Sequence, residues 1–187
     1  MKEQSIIEAA KQLFIEKGYR ETSVADIVRA SESSKGNLYH HFKNKEALFL
    51  KIIEEDDDHW LHGWSLKSHE FNNAREKFIG LATYSATRQT YHPMRSAVAE
   101  FYALESHYSP EIKAKIKEID DRYTECFMDI IQEGNDQEEW SVGNSWEVSE
   151  IASALSVGMD MLYGDYPIDE RKRRYVKSAE IFLDGLN

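Results

Sequence analysis

The residues Ser31-Glu-Ser-Ser-Lys-Gly-Asn-Leu-Tyr-His-His-Phe42 carry side chains suited to reading the edges of base pairs. Lys35 can donate to guanine O6 and N7. Gly36 has no side chain, so the backbone there can come close to a base. Tyr39 and His40 can reach bases or phosphates. A second group pairs acids with aromatics. Asp56 and Asp57 stand four and three residues before Trp60, on one side of a helix, and carboxylates beside an aromatic face attract a cation. Asp120 and Tyr123 repeat the pairing at i, i+3 spacing, and Tyr102 is a further aromatic candidate for such a pocket.

Helices must position both groups. Ile6, Ala10, Leu13 and Phe14 recur at helical spacing and predict a first helix from about Lys2 to Lys17, stopped by Gly18. Ser23-Val-Ala-Asp26 has the form of a capping box opening a short second helix. Ser31 and Glu32 make a turn, and Ser33 caps a third helix from about Ser34 to His41. Leu38 and Phe42 belong to its core side. Two short helices joined by this turn form a helix-turn-helix, whose second helix enters the major groove. Asn44 caps a long fourth helix, about Lys45 to Glu70, with Phe49, Ile53, Trp60 and Trp64 in one stripe. Further starts fall at Asn73, His92-Pro93, Ser109-Pro110, Ser145 and Pro167, with a stop at Gly134-Asn135. The expectation is an all-α chain of about nine helices. Residues 1–46 would form a helix-turn-helix DNA-binding domain, and residues 47–187 a ligand-binding and dimerisation domain.

Charge divides the chain in the same way. The net charge is −11, yet residues 1–53 hold nine Lys/Arg against seven Asp/Glu. The remainder holds 14 Lys/Arg against 27 Asp/Glu. Affinity for DNA rests largely on neutralised phosphates, so only the N-terminal segment is suited to face it. No run of 18 apolar residues occurs, so no membrane span is expected. The acidic, amphipathic N-terminus is unlike a signal peptide, and the single Cys126 suits a reducing cytoplasm. His59 and His62 with Asp56 lack the partners of a metal site. Nucleophile elbow, phosphate loop and paired-Cys motifs are missing. Neither a metal, a cofactor nor an enzymatic activity is expected.

Leu13-Phe14 and Gly18-Tyr19, Thr22-Ser23 and Ile27-Val28, and Gly36-Asn-Leu-Tyr39-His-His-Phe42 followed by Lys43-Asn-Lys45-Glu-Ala-Leu48 form a combination by which the N-terminal segment resembles the TetR family of bacterial repressors. The resemblance implies a DNA-contact set of Ser23, Ser33, Ser34, Lys35, Gly36, Asn37, Tyr39, His40, His41 and Lys45. Ser23 and Lys45 stand at helix N-termini, which favour phosphate, and the family pattern makes His41 a phosphate contact.

Beyond the head, Trp60 and Trp64, Arg75-Glu-Lys-Phe78, Glu100-Phe-Tyr102, Glu133-Gly-Asn135, Trp140 and Ile181-Phe-Leu-Asp-Gly-Leu186 resemble the QacR-type multidrug-responsive branch. That branch implies a helical pocket for lipophilic cations, with Asp56, Asp57, Trp60, Tyr102, Asp120 and Tyr123 among its lining. It also implies Gln89 where an acid is usual, His92 where an aromatic is usual, and Ala154, Val157 and Met161 where polar residues are usual. Arg88 and Arg95 stand where neutral polar residues are expected. The implied protein is a homodimer, paired through its last two helices, that binds an inverted-repeat operator on double-stranded DNA and is released by a small lipophilic, cationic compound. The gene it controls would be a multidrug efflux gene. Arg88, Arg95 and His92 favour an alternative, a repressor answering a neutral or anionic metabolite. A second alternative is a binding protein or enzyme that keeps the helix-turn-helix as scaffold only.

Overall fold

A computed structural model describes residues 2–87 and 91–186; the side chains of Tyr91, His92 and Glu105 lie outside the description. Among the described residues there are nine α-helices, one 3-10 turn at Glu105–His107 and no strand. The helices are α1 (Lys2–Glu21), α2 (Val24–Ala30), α3 (Lys35–His41), α4 (Lys45–Ser68), α5 (Ala74–Ala86), α6 (Tyr91–Tyr102), α7 (Pro110–Asp136), α8 (Ser145–Tyr163) and α9 (Ile168–Asp184). None is long and apolar enough to cross a membrane.

The chain forms two compact units: residues 1–58 with 93–118, and residues 59–92 with 119–187. In the first, Ile6, Ala10 and Phe14 of α1 are buried, as are Ile27, Leu38, Phe42, Leu48 and Phe49. α1 is broken at Gly18 (φ 80, ψ 175), so its regular part ends where the glycine stop is expected. This backbone conformation suits a residue without Cβ. Tyr19 then turns into an aromatic cluster. Its ring meets Phe49 at 4.8 Å and Phe101 of α6 at 5.1 Å, and Phe49 meets Phe14 and Phe101 at 4.8 and 4.7 Å. Burial drives the Tyr19 phenol pKa up, with Glu46 and Tyr108 adding to the rise.

The second unit is built around Trp60, Trp64, Phe78, Leu81, Phe127, Ile130, Ile131, Trp140, Tyr175 and Leu183. Phe78 stacks on Phe182 at 5.2 Å. Arg171 of α9 is buried and meets Asp160 of α8 at 3.0 Å, with the Tyr175 hydroxyl donating to the same carboxylate at 3.4 Å. A buried charge left without its partner is costly, so this pair fixes how α9 lies on α8.

Four local expectations are corrected. Ser34, not Ser33, caps α3, its Oγ accepting from Asn37 N–H at 3.1 Å; Ser33 Oγ instead accepts from the Asn37 side chain at 2.8 Å. α4 ends at Ser68, two residues early. Asn144 rather than Ser145 caps α8, accepting from Glu147 N–H at 3.2 Å. Gly134 does not stop α7, which continues to Asp136. Its missing side chain makes room for the Trp140 ring, which a Cβ would overlap, while Trp140 Nε1 donates to the Ile131 carbonyl at 2.9 Å.

Gly134→Ala is therefore expected to cost about 1–3 kcal/mol by overpacking, measured by urea unfolding. Gly143 is the matched control, because a Cβ there would meet nothing within 4 Å. Its Ala variant should stay within about 0.5 kcal/mol of the parent.

Candidate nucleic-acid interface and aromatic cluster

The helix-turn-helix is set by caps at each corner. Ser23 Oγ accepts from Asp26 N–H at 3.1 Å, and the Asp26 carboxylate accepts from Ser23 N–H and Oγ at 3.3 and 2.7 Å. The Ser23 contacts hold the Asp26 carboxyl below its usual range. Leu38 and Phe42 anchor α3 inward. The opposite side presents Lys35, Gly36, Tyr39 and His40, all exposed. Lys35 Nζ lies 5.9 Å from the Tyr39 ring centre. Val24, Ala25, Val28, Arg29, Glu32, Ser33, Lys35 and Tyr39 line an open groove between α2 and α3.

Gly36 is informative because packing does not require it. A Cβ there would have only Ser34 Oγ within 4 Å, at 3.9 Å. Glycine in a helix is disfavoured relative to alanine, and no neighbour in the chain explains its presence.

The remaining expected DNA contacts are placed differently from one another. Ser23 and Ser34 have their oxygens engaged as caps. His41 is half-buried, with Nδ1 3.5 Å from Glu3. Lys45 turns inward: its Nζ donates to the carbonyls of Tyr19 and Thr22 at 2.8 and 3.0 Å and lies 4.1 Å from the Tyr19 ring centre. Burial lowers the pKa of its ammonium, against the attraction of Glu46 and Glu100.

The expected ligand contacts divide between the two units. Asp56, Asp57 and Tyr102 belong to the first. Asp56 is ion-paired with Lys11 of α1 at 2.5 Å, and Tyr102 is half-buried beside Phe101. In the second unit, Trp60 and Tyr123 are brought together, ring centres 5.2 Å apart. Sequence reasoning missed three residues that complete this cluster. Tyr84 packs on Trp60 at 5.2 Å and donates to its carbonyl at 3.2 Å. Ser85 and Ser156 hydrogen-bond the Tyr123 hydroxyl at 3.1 and 2.6 Å. The spacing of Leu81, Tyr84 and Ser85 on α5 held the signal for two of them. Asp120 is exposed, and Ala154, Val157 and Met161 lie on the exposed side of α8. Arg88, Gln89 and the His92 side chain fall outside the described residues. Among the described residues no group of three or more His, Cys, Asp or Glu side chains is arranged to hold a metal ion.

Comparison with known proteins adds the family. Residues 6–52 match the model for bacterial regulatory proteins of the tetR family, and residues 56–187 match that for the C-terminal region of QacR-like proteins. The HTH-type transcriptional regulator QacR of Staphylococcus aureus is 37% identical over 97% of this chain and 96% of its own length. The HTH-type transcriptional regulator UidR of Escherichia coli is 32% identical over 60% of this chain and 55% of its own length. Among solved structures, GusR of Salmonella enterica superposes with a TM-score of 0.75 at 22% identity, covering 99% of this chain and 94% of that one. FadR of Bacillus subtilis, in complex with stearoyl-CoA, superposes at 0.71 and 20% identity, covering 98% and 96%. These two show the shared fold.

Gly36→Ala should stabilise the protein by about 0.5–1 kcal/mol in urea unfolding while weakening its hold on DNA. Lys35→Ala with Tyr39→Ala should abolish specific binding in a gel-shift assay at unchanged melting temperature. Retained affinity in the double variant would remove α3 from the interface.

Proposed function

Because the chain belongs to the TetR family of bacterial regulatory proteins and carries a QacR-like C-terminal region, we propose that it is a homodimeric transcriptional repressor released from its operator by a lipophilic cation. Gly36 carries the DNA half of this reading: an exposed helix glycine that the fold does not need, between Lys35 and Tyr39, suits close approach to base edges. Two heads would occupy half-sites of an inverted repeat about one helical turn apart. The apolar side chains left exposed on the last two helices support pairing of two copies there. Leu162 (71% exposed), Met161 (63%) and Ile181 (62%) are the most exposed of them, and an apolar stripe of this kind on a helix seeks a partner.

The ligand half rests on the Trp60, Tyr84 and Tyr123 rings together with the acid excess beyond residue 53. Aromatic faces attract a desolvated cation, and an excess of carboxylates adds to the attraction. The rings pack directly on one another, so a guest would have to part Trp60 from Tyr123. Movement of Trp60 is movement of α4, which begins at Lys45 beside the recognition helix. Operator and ligand would then bind antagonistically. The controlled gene would encode export of such compounds.

Titration of intrinsic Trp fluorescence with tetraphenylphosphonium, decamethonium and the matched anion tetraphenylborate tests the ligand class. The expected result is saturable binding of the cations, weakened several-fold by Asp120→Asn. Binding of tetraphenylborate alone would replace the cation reading with the anionic-metabolite alternative and direct attention to Arg95.

A further inference from the structure

Arg171 is buried (6% exposed), and its guanidinium carries N–H donors and no acceptor. Nη2 meets the Asp160 carboxylate at 3.0 Å, but among the described residues the buried Nε–H has no hydrogen-bond partner. An orphaned donor of this kind is costly and rare in a folded interior. Holding α9 on α8 does not call for it, since an apolar pair of similar volume commonly serves as well as a buried ion pair. The Nε–H calls for an acceptor that the described residues do not supply.

This donor stands beside the aromatic cluster. Ser156 and Asp160 are one turn apart on α8, and Arg171 and Tyr175 are one turn apart on α9, so each pair shares a helix face. Ser156 bonds the Tyr123 hydroxyl at 2.6 Å, and Asp160 accepts from the Tyr175 hydroxyl at 3.4 Å. Burial pushes the Tyr175 phenol pKa up, with Asp160 and then Tyr123 adding to the rise, so the phenol stays a neutral donor. A line of polar groups thus runs from Tyr123 through Ser156 to Asp160 and Arg171. It starts at the ring that packs on Trp60 at 5.2 Å and ends at the orphaned Nε–H.

Charge decides what chemistry this donor suits. Arg171 and Asp160 cancel, so the Nε–H belongs to a locally neutral pair. An anionic group brought to it would be drawn by the guanidinium and repelled by Asp160. An uncharged oxygen gains the hydrogen bond without that repulsion. We propose that Arg171 is a ligand-contact residue: its Nε–H donates to an uncharged oxygen acceptor, a ring carbonyl or aryl ether, on a flat aromatic ligand whose rings enter between Trp60 and Tyr123. The contact rests on the seating of the ligand at that cluster proposed above and adds a polar requirement to it. The one-turn step from Ser156 to Asp160, roughly 5–6 Å, is a distance that a fused-ring body spans.

Equilibrium dialysis of the full chain against fluorenone and fluorene tests the contact. The two probes share a flat ring system and differ in a carbonyl against a methylene. Fluorene is the more apolar, so hydrophobic burial alone favours it. Wild type is expected to bind fluorenone on the order of tenfold tighter than fluorene. The paired variant Asp160→Leu with Arg171→Met removes both charges together. It should lose that preference while binding tetraphenylphosphonium as wild type does. Should the paired variant fail to fold, Arg171→Lys keeps a cation opposite Asp160 without the Nε–H and is expected to lose the preference too. Equal binding of the two probes by wild type, or a preference that survives in the variants, would overturn the proposal. Tetraphenylphosphonium separates the two readings. If wild type ignores it yet prefers fluorenone through Arg171, the cation reading fails and the contact stands. If wild type binds it but not fluorenone, the contact fails and the cation reading stands.

Discussion

The end of α1 is the constraint on which the first unit depends. The chain must leave a helix, turn through Gly18 at positive φ, and start α2 within six residues. The last carbonyls of a helix lack intrahelical donors. Here Thr22 Oγ1 donates to the Gly18 carbonyl at 2.8 Å and Lys45 donates to those of Tyr19 and Thr22. Each such bond contributes roughly 1 kcal/mol net, and the Tyr19, Phe49 and Phe101 rings add about 0.5–1.5 kcal/mol for each pair. With that corner closed, α2 and α3 have one place to sit. Lys35, Gly36 and Tyr39 face outward because Leu38 and Phe42 face in.

The second unit solves a different problem: it is acidic at its surface and aromatic within. Trp60, Tyr84 and Tyr123 form a cluster in which the tyrosine hydroxyls are used on Ser85, Ser156 and a backbone carbonyl. Such a cluster is stable closed and can still present ring faces when opened. The buried Arg171–Asp160 pair and the Gly134–Trp140 socket hold the surrounding helices in register.

What the sequence makes legible is local. Ser23 with Asp26, Asn44, Asn73 and Pro110 all start helices where their chemistry implies, because a cap acts on backbone three residues away. Gly134 misleads because its role is set by a ring six positions on, which spacing rules do not weigh. Lys45 shows the limit for sites. A lysine at a helix start is legible as a phosphate ligand, but the direction of its side chain depends on the carbonyls of Tyr19 and Thr22, more than 20 residues earlier. Glu100 is legible only as part of a family likeness, since its partner is a backbone N–H 80 residues away. Trp60 and Tyr123 are legible as aromatic candidates. Their meeting is not, because it requires the packing of α4 on α7.

The proposed function requires operator and lipophilic cation to bind antagonistically. Isothermal titration of tetraphenylphosphonium into the free protein and into its operator complex tests this from the ligand side. Linkage requires the operator to weaken cation binding by the same factor by which the cation weakens operator binding. Equal factors are expected, both on the order of tenfold or greater. Cation affinity that is identical with and without operator would contradict the antagonism.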